Sequence, residues 1–567
     1  MNTTAASDLP LSQHGSNGRA RAAALAAAAA LVARPTSLVS YRSGGALAII
    51  GPEALALAAA RRLPAALHRT VVIQEPNNAG ARSGSESSAA SGITVVRDKV
   101  IQVSGHLGQY AVIVSAPPPL GGVNLQQKLG GQRTQFDLVL DLCEPPFIAD
   151  ELPPFGYYAP RGNPEKLEAA LAELPDMVGE FEKPRFFAYN ADICAHGASG
   201  LTGCTRCIDA CPAGAIISMV EEVAVDPYKC QGAGVCATAC PTGAMTYVYP
   251  TVADHLAKLA ALLKTYRAAG GSAPIILYHD AETGRARMQQ LAASIPEHVI
   301  PLEVAELGSV GMDVWLAVIA YGAANVFLLP TDATPQRVGA EVQAQIDYTR
   351  AILAGMGYRP DAIGLIAGED KALPRTLAAA NGSTVSAPAT FAALTDKRTN
   401  LRLAIDHLYE HAPAPQAETA LPTGAPFGQI FVNRDACTLC MSCVGVCPAG
   451  ALADGGDLPQ LQFIEGNCVQ CGLCETACPE NAIGLSARYL YDPAARRGAR
   501  LMHQEAPFHC ISCGKPFATQ KMMTRMTEKL QGHWMFQSSD ALRRVQMCGD
   551  CRVRDMFNAE HKRGQLT

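Results

Sequence analysis

One hexapeptide theme recurs four times along the chain, and every copy closes a run of cysteines. The copies are Cys211-Pro212-Ala213-Gly214-Ala215-Ile216, Cys240-Pro241-Thr242-Gly243-Ala244-Met245, Cys447-Pro448-Ala449-Gly450-Ala451-Leu452 and Cys478-Pro479-Glu480-Asn481-Ala482-Ile483. In the second half of the chain the runs are complete: Cys437, Cys440, Cys443 and Cys447 precede Pro448, and Cys468, Cys471, Cys474 and Cys478 precede Pro479. Both read C-x2-C-x2-C-x3-C-P. Three thiolates on so short a loop grasp three corners of an iron–sulfur cubane, and the fourth, turned away at the proline, reaches the neighbouring cluster. The implied sets are Cys437, Cys440, Cys443 with Cys478, and Cys468, Cys471, Cys474 with Cys447. Zinc sites use two CxxC pairs rather than two runs of four ending in Cys-Pro. The apolar residues Ala449–Leu452 and Ala482–Ile483 follow each run and are suited to keeping water away.

The first half carries the same motif, edited twice. Cys204, Cys207 and Cys211 keep the last three positions, Leu201 occupies the first, and Cys194 stands seven residues further back across the insertion Ala195–Leu201. In the next run Cys230, Cys236 and Cys240 remain and Ala233 takes the second position. The same crossover gives Cys194, Cys204, Cys207 and Cys240 as one complete set. The other holds only Cys211, Cys230 and Cys236, a set suited to a three-iron cluster or to a four-iron cluster with one non-protein ligand; an empty, decayed site is the alternative. Both stretches resemble the bacterial dicluster ferredoxin family. The resemblance implies a compact β-α-β pair per module, one-electron transfer, three complete [4Fe-4S] clusters and one [3Fe-4S] or incompletely ligated [4Fe-4S] cluster.

A further foursome stands apart. Cys510-x2-Cys513 and Cys548-x2-Cys551 are two knuckles whose thiolates suit one tetrahedral metal ion, zinc in preference to a rubredoxin-like iron. Gly514 and Gly549 lie where tight knuckles need a permissive backbone. Residues 486–567 hold 14 Lys/Arg against 7 Asp/Glu, a surplus of seven positive charges. The basic stretch Gln520–Val545 reads as a solvated helical face, with an acidic redox partner or nucleic acid as less favoured occupants.

The 567 residues and 17% charged content allow several globular domains, an α/β and α+β assembly. The expected division is a tail and Ala-rich helix over 1–44, an α/β domain over 45–184, a ferredoxin-like module over 185–250, a second α/β domain over 255–370, a Pro-rich linker over 371–425, the second module over 426–487 and a basic, zinc-ribbon-like segment with the last four cysteines over 488–567. Strands are expected at Ala46–Ile50, Thr70–Ile73, Tyr110–Val114, Ile275–Tyr278 and Asn325–Leu329, helices at Pro52–Leu63, Val310–Ala320 and Val338–Leu353, and a Gly/Ser-rich loop at Arg82–Ser91.

The strings Glu306–Asp313, Gly322–Leu329 and Tyr348–Gly357 make residues 273–370 resemble the delta subunit of methyl-viologen-reducing hydrogenases. That family links hydrogenase to heterodisulfide reductase and carries a two-iron cluster. No cysteine lies between Cys240 and Cys437, so the resemblance implies a docking scaffold without the cluster. Gly51 follows a strand and precedes a helix, yet the further glycines of a dinucleotide fingerprint are missing. Cys143 reads as a small buried hydrophobe, Trp315 and Trp534 as core residues, and His196 as a hydrogen-bonding side chain in the Cys194 loop.

Clustered cysteines in a large chain favour metal ligation in a reducing compartment, the cytoplasm, over disulfides. The run Ala22–Ala33 reads as a helix rather than a leader, and no apolar stretch is long enough to span a bilayer. A net charge of −5 selects no partner. Every motif ligates metal and none supplies a nucleophile or an acid–base pair. The expectation is therefore an electron carrier or adaptor without catalytic residues, serving a formate dehydrogenase or hydrogenase-like complex. The alternatives are a flavin- or nicotinamide-dependent oxidoreductase subunit, or a cluster-sensing assembly factor.

Overall fold

A computed structural model describes residues 9–564 apart from 75–84, 89–91, 118–120, 131–133, 369, 381, 457 and 537. Its first sheet is built on Ala46–Gly51, an aliphatic strand buried at all six positions, as a strand covered on both faces must be. Parallel neighbours Leu138–Asp141 and His68–Ile73 flank it, with Tyr157–Tyr158 and Ile93–Arg97 beyond. The expected helix runs Glu53–Arg62 and the third expected strand Ala111–Ser115. Gly51 is required by packing: a methyl group there would stand 2.7 Å from Cβ of Leu142. Within the segment expected as a Gly/Ser loop, Ser85–Ser88 is a strand antiparallel to Ile93–Arg97; residues 82–84 and 89–91 lie outside the described residues. Cys143 is only partly buried, against the second core of this domain.

The first 44 residues are more than a tail. The helix Ser16–Ala29 presents Ala20, Ala24 and Ala28 at a four-residue spacing, small side chains that let it lie close against Val252–Ala268. Buried Arg21 donates to the carbonyls of Pro296, Val299 and Ser12, while the Glu297 carboxylate accepts from Gly15 and Gly18 N–H. The strand Leu38–Ser43 pairs with Gly179–Pro184, so the boundary expected at residue 44 falls inside one structural unit.

The middle domain has the expected parallel sheet, in the order Val299–Val304, Ile275–Asp280, Asn325–Leu328, Ile363–Leu365. Its helix Met312–Ala320 is apolar apart from Asp313 in its first turn and buried at every residue, with Trp315 fully enclosed. Residues 371–425 are not the linker that their proline content suggests. Asp396 caps the helix Lys397–Glu410 by accepting from Thr399 N–H, and Leu401, Ala404, Ile405 and Leu408 form its buried stripe against Met312–Ala320.

Each cysteine module is a pair of antiparallel ladders related by rough two-fold repetition. The first pairs Phe187–Tyr189 with Met245–Tyr247 and Ile216–Ser218 with Val223–Val225; the second pairs Gly428–Val432 with Ile483–Leu490 and Leu452–Gly455 with Leu458–Phe463. Arg500–Gln504 adds a strand to the second module, so the C-terminal segment begins inside its sheet. Beyond it come a hairpin and the helices Gln520–Gln531, Ser539–Val545 and Gly549–Gly564. Trp534 is 74% exposed rather than a core residue. Among the described residues no helix is long and apolar enough to cross a membrane.

Candidate metal centres

The complete module shows how its loops aim their sulfurs. Between Cys437 and Cys443 the residues Leu439 and Met441 adopt positive φ (56° and 61°), and between Cys468 and Cys474 Gln470 and Gly472 do the same (54° and 84°). Alternating left-handed residues turn successive N–H groups inward as an anion-binding nest. Leu439 N–H accordingly donates to the Cys437 sulfur and Gln470 N–H to that of Cys468. Past the proline, Ala451 N–H reaches Cys447 Sγ at 3.3 Å and Ala482 N–H reaches Cys478 Sγ at 3.2 Å. The short helices Ser442–Gly445 and Leu473–Thr476 carry the third cysteine of each run.

Two cavities result. One is lined by Cys437, Cys440, Cys443 and Cys478, the other by Cys447, Cys468, Cys471 and Cys474 with Ile430, Leu452 and Phe463. The crossover between runs brings together the two foursomes inferred from spacing. Burial pushes the Cys443 thiol up to about 12, so an isolated thiol there keeps its proton, whereas a cationic metal core favours thiolate. Four sulfurs around an apolar-walled space, with N–H groups directed at them, fit an iron–sulfur cubane.

The edited module keeps the same plan. Around Ala233 the loop has positive φ at Gly232 and Gly234 (79° and 71°), the positions occupied by Leu439 and Met441 or Gln470 and Gly472 in the complete runs, and Gly232 N–H donates to the Cys230 sulfur. The backbone nest thus survives the loss of one cysteine. Cys236 lies among Cys230, Cys211 and Cys207, and Cys207 among Cys240, Cys204 and Cys194. Burial lifts the Cys207 thiol to about 12 and that of Cys204 to about 11. The insertion that displaces the first cysteine is a tight hairpin, Gly197–Ala198 against Leu201–Thr202, whose turn residues Ser199 and Gly200 both have positive φ. Buried His196 braces it through Nδ1 to the Cys204 carbonyl at 2.8 Å and Nε2 to Ser218 Oγ at 2.7 Å, the hydrogen-bonding role its position suggests. Ala233 is covered by the turn Leu307–Ser309 of the middle domain, where a methyl group on Gly308 would stand 2.5 Å from the Ala233 carbonyl oxygen.

Four cations missed by the sequence reading close on these loops. Lys183 donates to the Cys230 carbonyl at 2.6 Å and Arg337 to that of Cys211 at 2.8 Å. Lys397 donates to the Cys240 carbonyl at 2.9 Å and Arg398 to that of Cys468 at 3.0 Å. Burial lowers the Arg398 guanidinium to about 10, which leaves it charged at neutral pH. The two modules also touch. A methyl group on Gly203, beside Cys204, would stand 2.6 Å from Leu473 Cγ, beside Cys474, and Arg206 acts electrostatically on both Cys204 and Cys471.

The C-terminal cysteines are different in kind. The sulfurs of Cys510, Cys513, Cys548 and Cys551 all lie within 4.8 Å of one another, with Cys513 and Cys548 3.7 Å apart. For metal–sulfur bonds of about 2.3 Å a tetrahedron has edges of about 3.8 Å, so the spacing of these sulfurs suits a single ion better than a cluster. Against the upward push of burial, N–H groups of Cys548, Cys513 and Ser512 draw the Cys510 thiol down to about 6. Gly514 has the left-handed φ of 74° that a knuckle needs; Gly549 instead opens a helix. The basic helix Gln520–Gln531 is not simply solvated. Lys521 donates to the Arg434 carbonyl and Arg525 to that of Ala436, which seats it beside the Cys437 loop.

Residues 436–483 match the family model of a 4Fe-4S dicluster domain, and residues 202–244 match a second model of the same description. Over 55 residues the chain is 38% identical to Ferredoxin-1 of Caulobacter vibrioides, a match covering 9% of this chain and 47% of that protein. The chain thus spans about half the length of this curated relative. It carries two 4Fe-4S dicluster modules of the bacterial ferredoxin type.

Proposed function

We propose that the chain is an electron relay in which four cluster sites follow one another from Cys211/Cys230/Cys236, through Cys194/Cys204/Cys207/Cys240 and Cys447/Cys468/Cys471/Cys474, to Cys437/Cys440/Cys443/Cys478. The contact of Gly203 with Leu473 carries this reading, because it joins the two modules at their facing inner sites. When bound, an iron–sulfur cluster stores or passes one electron at a time. The chain's own residues fix the spacing, exclude water with Leu452, Phe463 and Ile430, and direct N–H groups at the sulfurs, where they stabilise added negative charge.

In this reading the Cys211/Cys230/Cys236 site holds three irons, or four with one non-protein ligand, and the Cys510/Cys513/Cys548/Cys551 site holds structural zinc. Cys440 is exposed, which makes the Cys437 site the place where a soluble redox partner exchanges electrons. A formate- or hydrogen-oxidising enzyme in the cytoplasm is the partner class that the 273–370 resemblance favours. Anaerobic purification with iron, sulfide and zinc analysis, followed by EPR during reduction, tests the relay. Three four-iron clusters plus one smaller or incomplete one, all reversibly reducible, are expected; protein without acid-labile sulfide, or with cysteines oxidised to disulfides, overturns it.

A further inference from the structure

Two of the four cations at the cysteine loops are neighbours in sequence, and they reach different modules. Lys397 and Arg398 open the helix Lys397–Glu410 and are each 8% exposed. Lys397 Nζ gives its three hydrogen bonds to the carbonyls of Ala237, Thr238 and Cys240, at 2.8, 2.8 and 2.9 Å, at the negative end of the helix Val235–Ala239. Arg398 donates to the carbonyls of Pro426, Gly466 and Cys468 at 2.9, 3.2 and 3.0 Å and lies over the Phe427 ring.

We propose that Lys397 and Arg398 form a two-headed cationic brace that holds the inner sites Cys194/Cys204/Cys207/Cys240 and Cys447/Cys468/Cys471/Cys474 face to face and raises their affinity for an electron above that of the outer Cys437 site. The proposal rests on the relay reading above. Among the described residues every hydrogen bond of these two cations goes to a main-chain carbonyl rather than a carboxylate, so none of those residues neutralises their charge at hydrogen-bonding distance. Glu341 and Asp396 act on them from further off. In a buried, weakly screened setting such charge favours the reduced state of whatever lies beyond the ligand cysteine. At the outer site the corresponding cation is engaged differently: Arg525 donates to the Ala436 carbonyl and also to the Glu480 carboxylate at 2.7 Å. Reduction takes one electron from an external one-electron donor, with no covalent bond made or broken.

The test is an EPR-monitored redox titration of the whole chain, loaded anaerobically, with dithionite as donor. Lys397→Met is expected to make the inner site of the first module tenfold harder to reduce, a fall of about 59 mV for one electron. Arg398→Gln does the same at the inner site of the second module, and the Cys437 site stays put in both. Arg398→Lys keeps the charge but loses the fork, so its midpoint is held while its thermal stability drops. Variants with wild-type iron and sulfide content and unmoved inner midpoints overturn the brace and leave a purely structural contact. Should one neutral variant fail to accumulate, the other decides. Fully reduced wild-type protein without magnetic coupling between the inner sites also overturns it. Wild-type protein lacking iron and sulfide overturns the relay reading instead.

Discussion

The two modules carry one motif and are held in shape by different means. In the second both runs are complete, its loops adopt their left-handed residues even where these are Leu439, Met441 and Gln470, and its cavities are walled by its own side chains, while Arg398 and Arg525 bond to its loop carbonyls from outside. The first has lost two motif cysteines and is shaped from outside. Lys183 and Arg337 clamp its carbonyls, the hairpin after Cys194 restores a sulfur, and the turn Leu307–Ser309 covers Ala233. Outside cations thus serve both modules, and the edited one differs in its inserted hairpin and in the turn that covers the altered position.

The sharpest way to break this comparison is Cys478→Ala. If the crossover holds, the cluster of the Cys437–Cys443 loop is lost while that of Cys468–Cys474 stays, and iron analysis with EPR of the remaining site reports which one has gone. A loss confined to the Cys468 loop contradicts the crossover. Next in size is Gly308→Ala. Its methyl group meets the Ala233 carbonyl at 2.5 Å, with backbone on both sides and little room to give. A destabilisation of about 1–3 kcal/mol and loss of the Cys211/Cys230/Cys236 signal are expected, read by thermal melting and EPR, with the second module untouched.

Glu306, which opens the same turn, gives a pH dependence. Burial, then Asp280 and Glu282, raise its carboxyl from 4.5 to about 7. An acid whose folded value is raised costs stability when it ionises. The cost is absent below the unfolded value, grows as pH climbs from about 4.5 to 7 and is complete above. Relative to Glu306→Gln, the wild type should lose about 3 kcal/mol across that window, an upper figure since the group is not fully enclosed. Equal melting curves for the two proteins at every pH would dismiss it. Ala233→Cys sharpens the comparison by restoring the motif: one additional iron per chain and a four-iron EPR signature in the first module are expected, with little change in stability. The smallest effect is expected from a zinc chelator, which should loosen the 510–551 knuckles, seen by zinc release and proteolysis there, and leave visible absorbance intact.

What the chain discloses in sequence follows the same divide. The foursomes of the second module were legible because its two runs keep the full spacing, and the parallel sheet of the middle domain because Ile275–Tyr278 and Val326–Leu328 are continuous apolar runs. The helix Lys397–Glu410 was obscured by surrounding prolines although its stripe of Leu401, Ala404, Ile405 and Leu408 has helical spacing. The roles of Lys397, Arg398, Lys183 and Arg337 were not legible at all, since each bonds to a carbonyl far away in sequence and no motif encodes it. Trp534 misled for the converse reason: a large aromatic side chain suggests a core, but among the described residues none covers it and it stays largely exposed.

The left-handed side-chain-bearing residues of the second module have a consequence for how such a chain matures. Leu439, Met441 and Gln470 each sit in a conformation that costs about 1 kcal/mol or more and has no reward in a loop with nothing at its centre. A newly made polypeptide therefore has little reason to wind these loops before iron and sulfide arrive. Leu307–Ser309 packs directly over the Ala233 loop, so a cluster entering the folded chain from that side would have to displace this turn. Winding of these loops and binding of their metal are then one coupled step, as in other chains whose ligands come together only in the folded state.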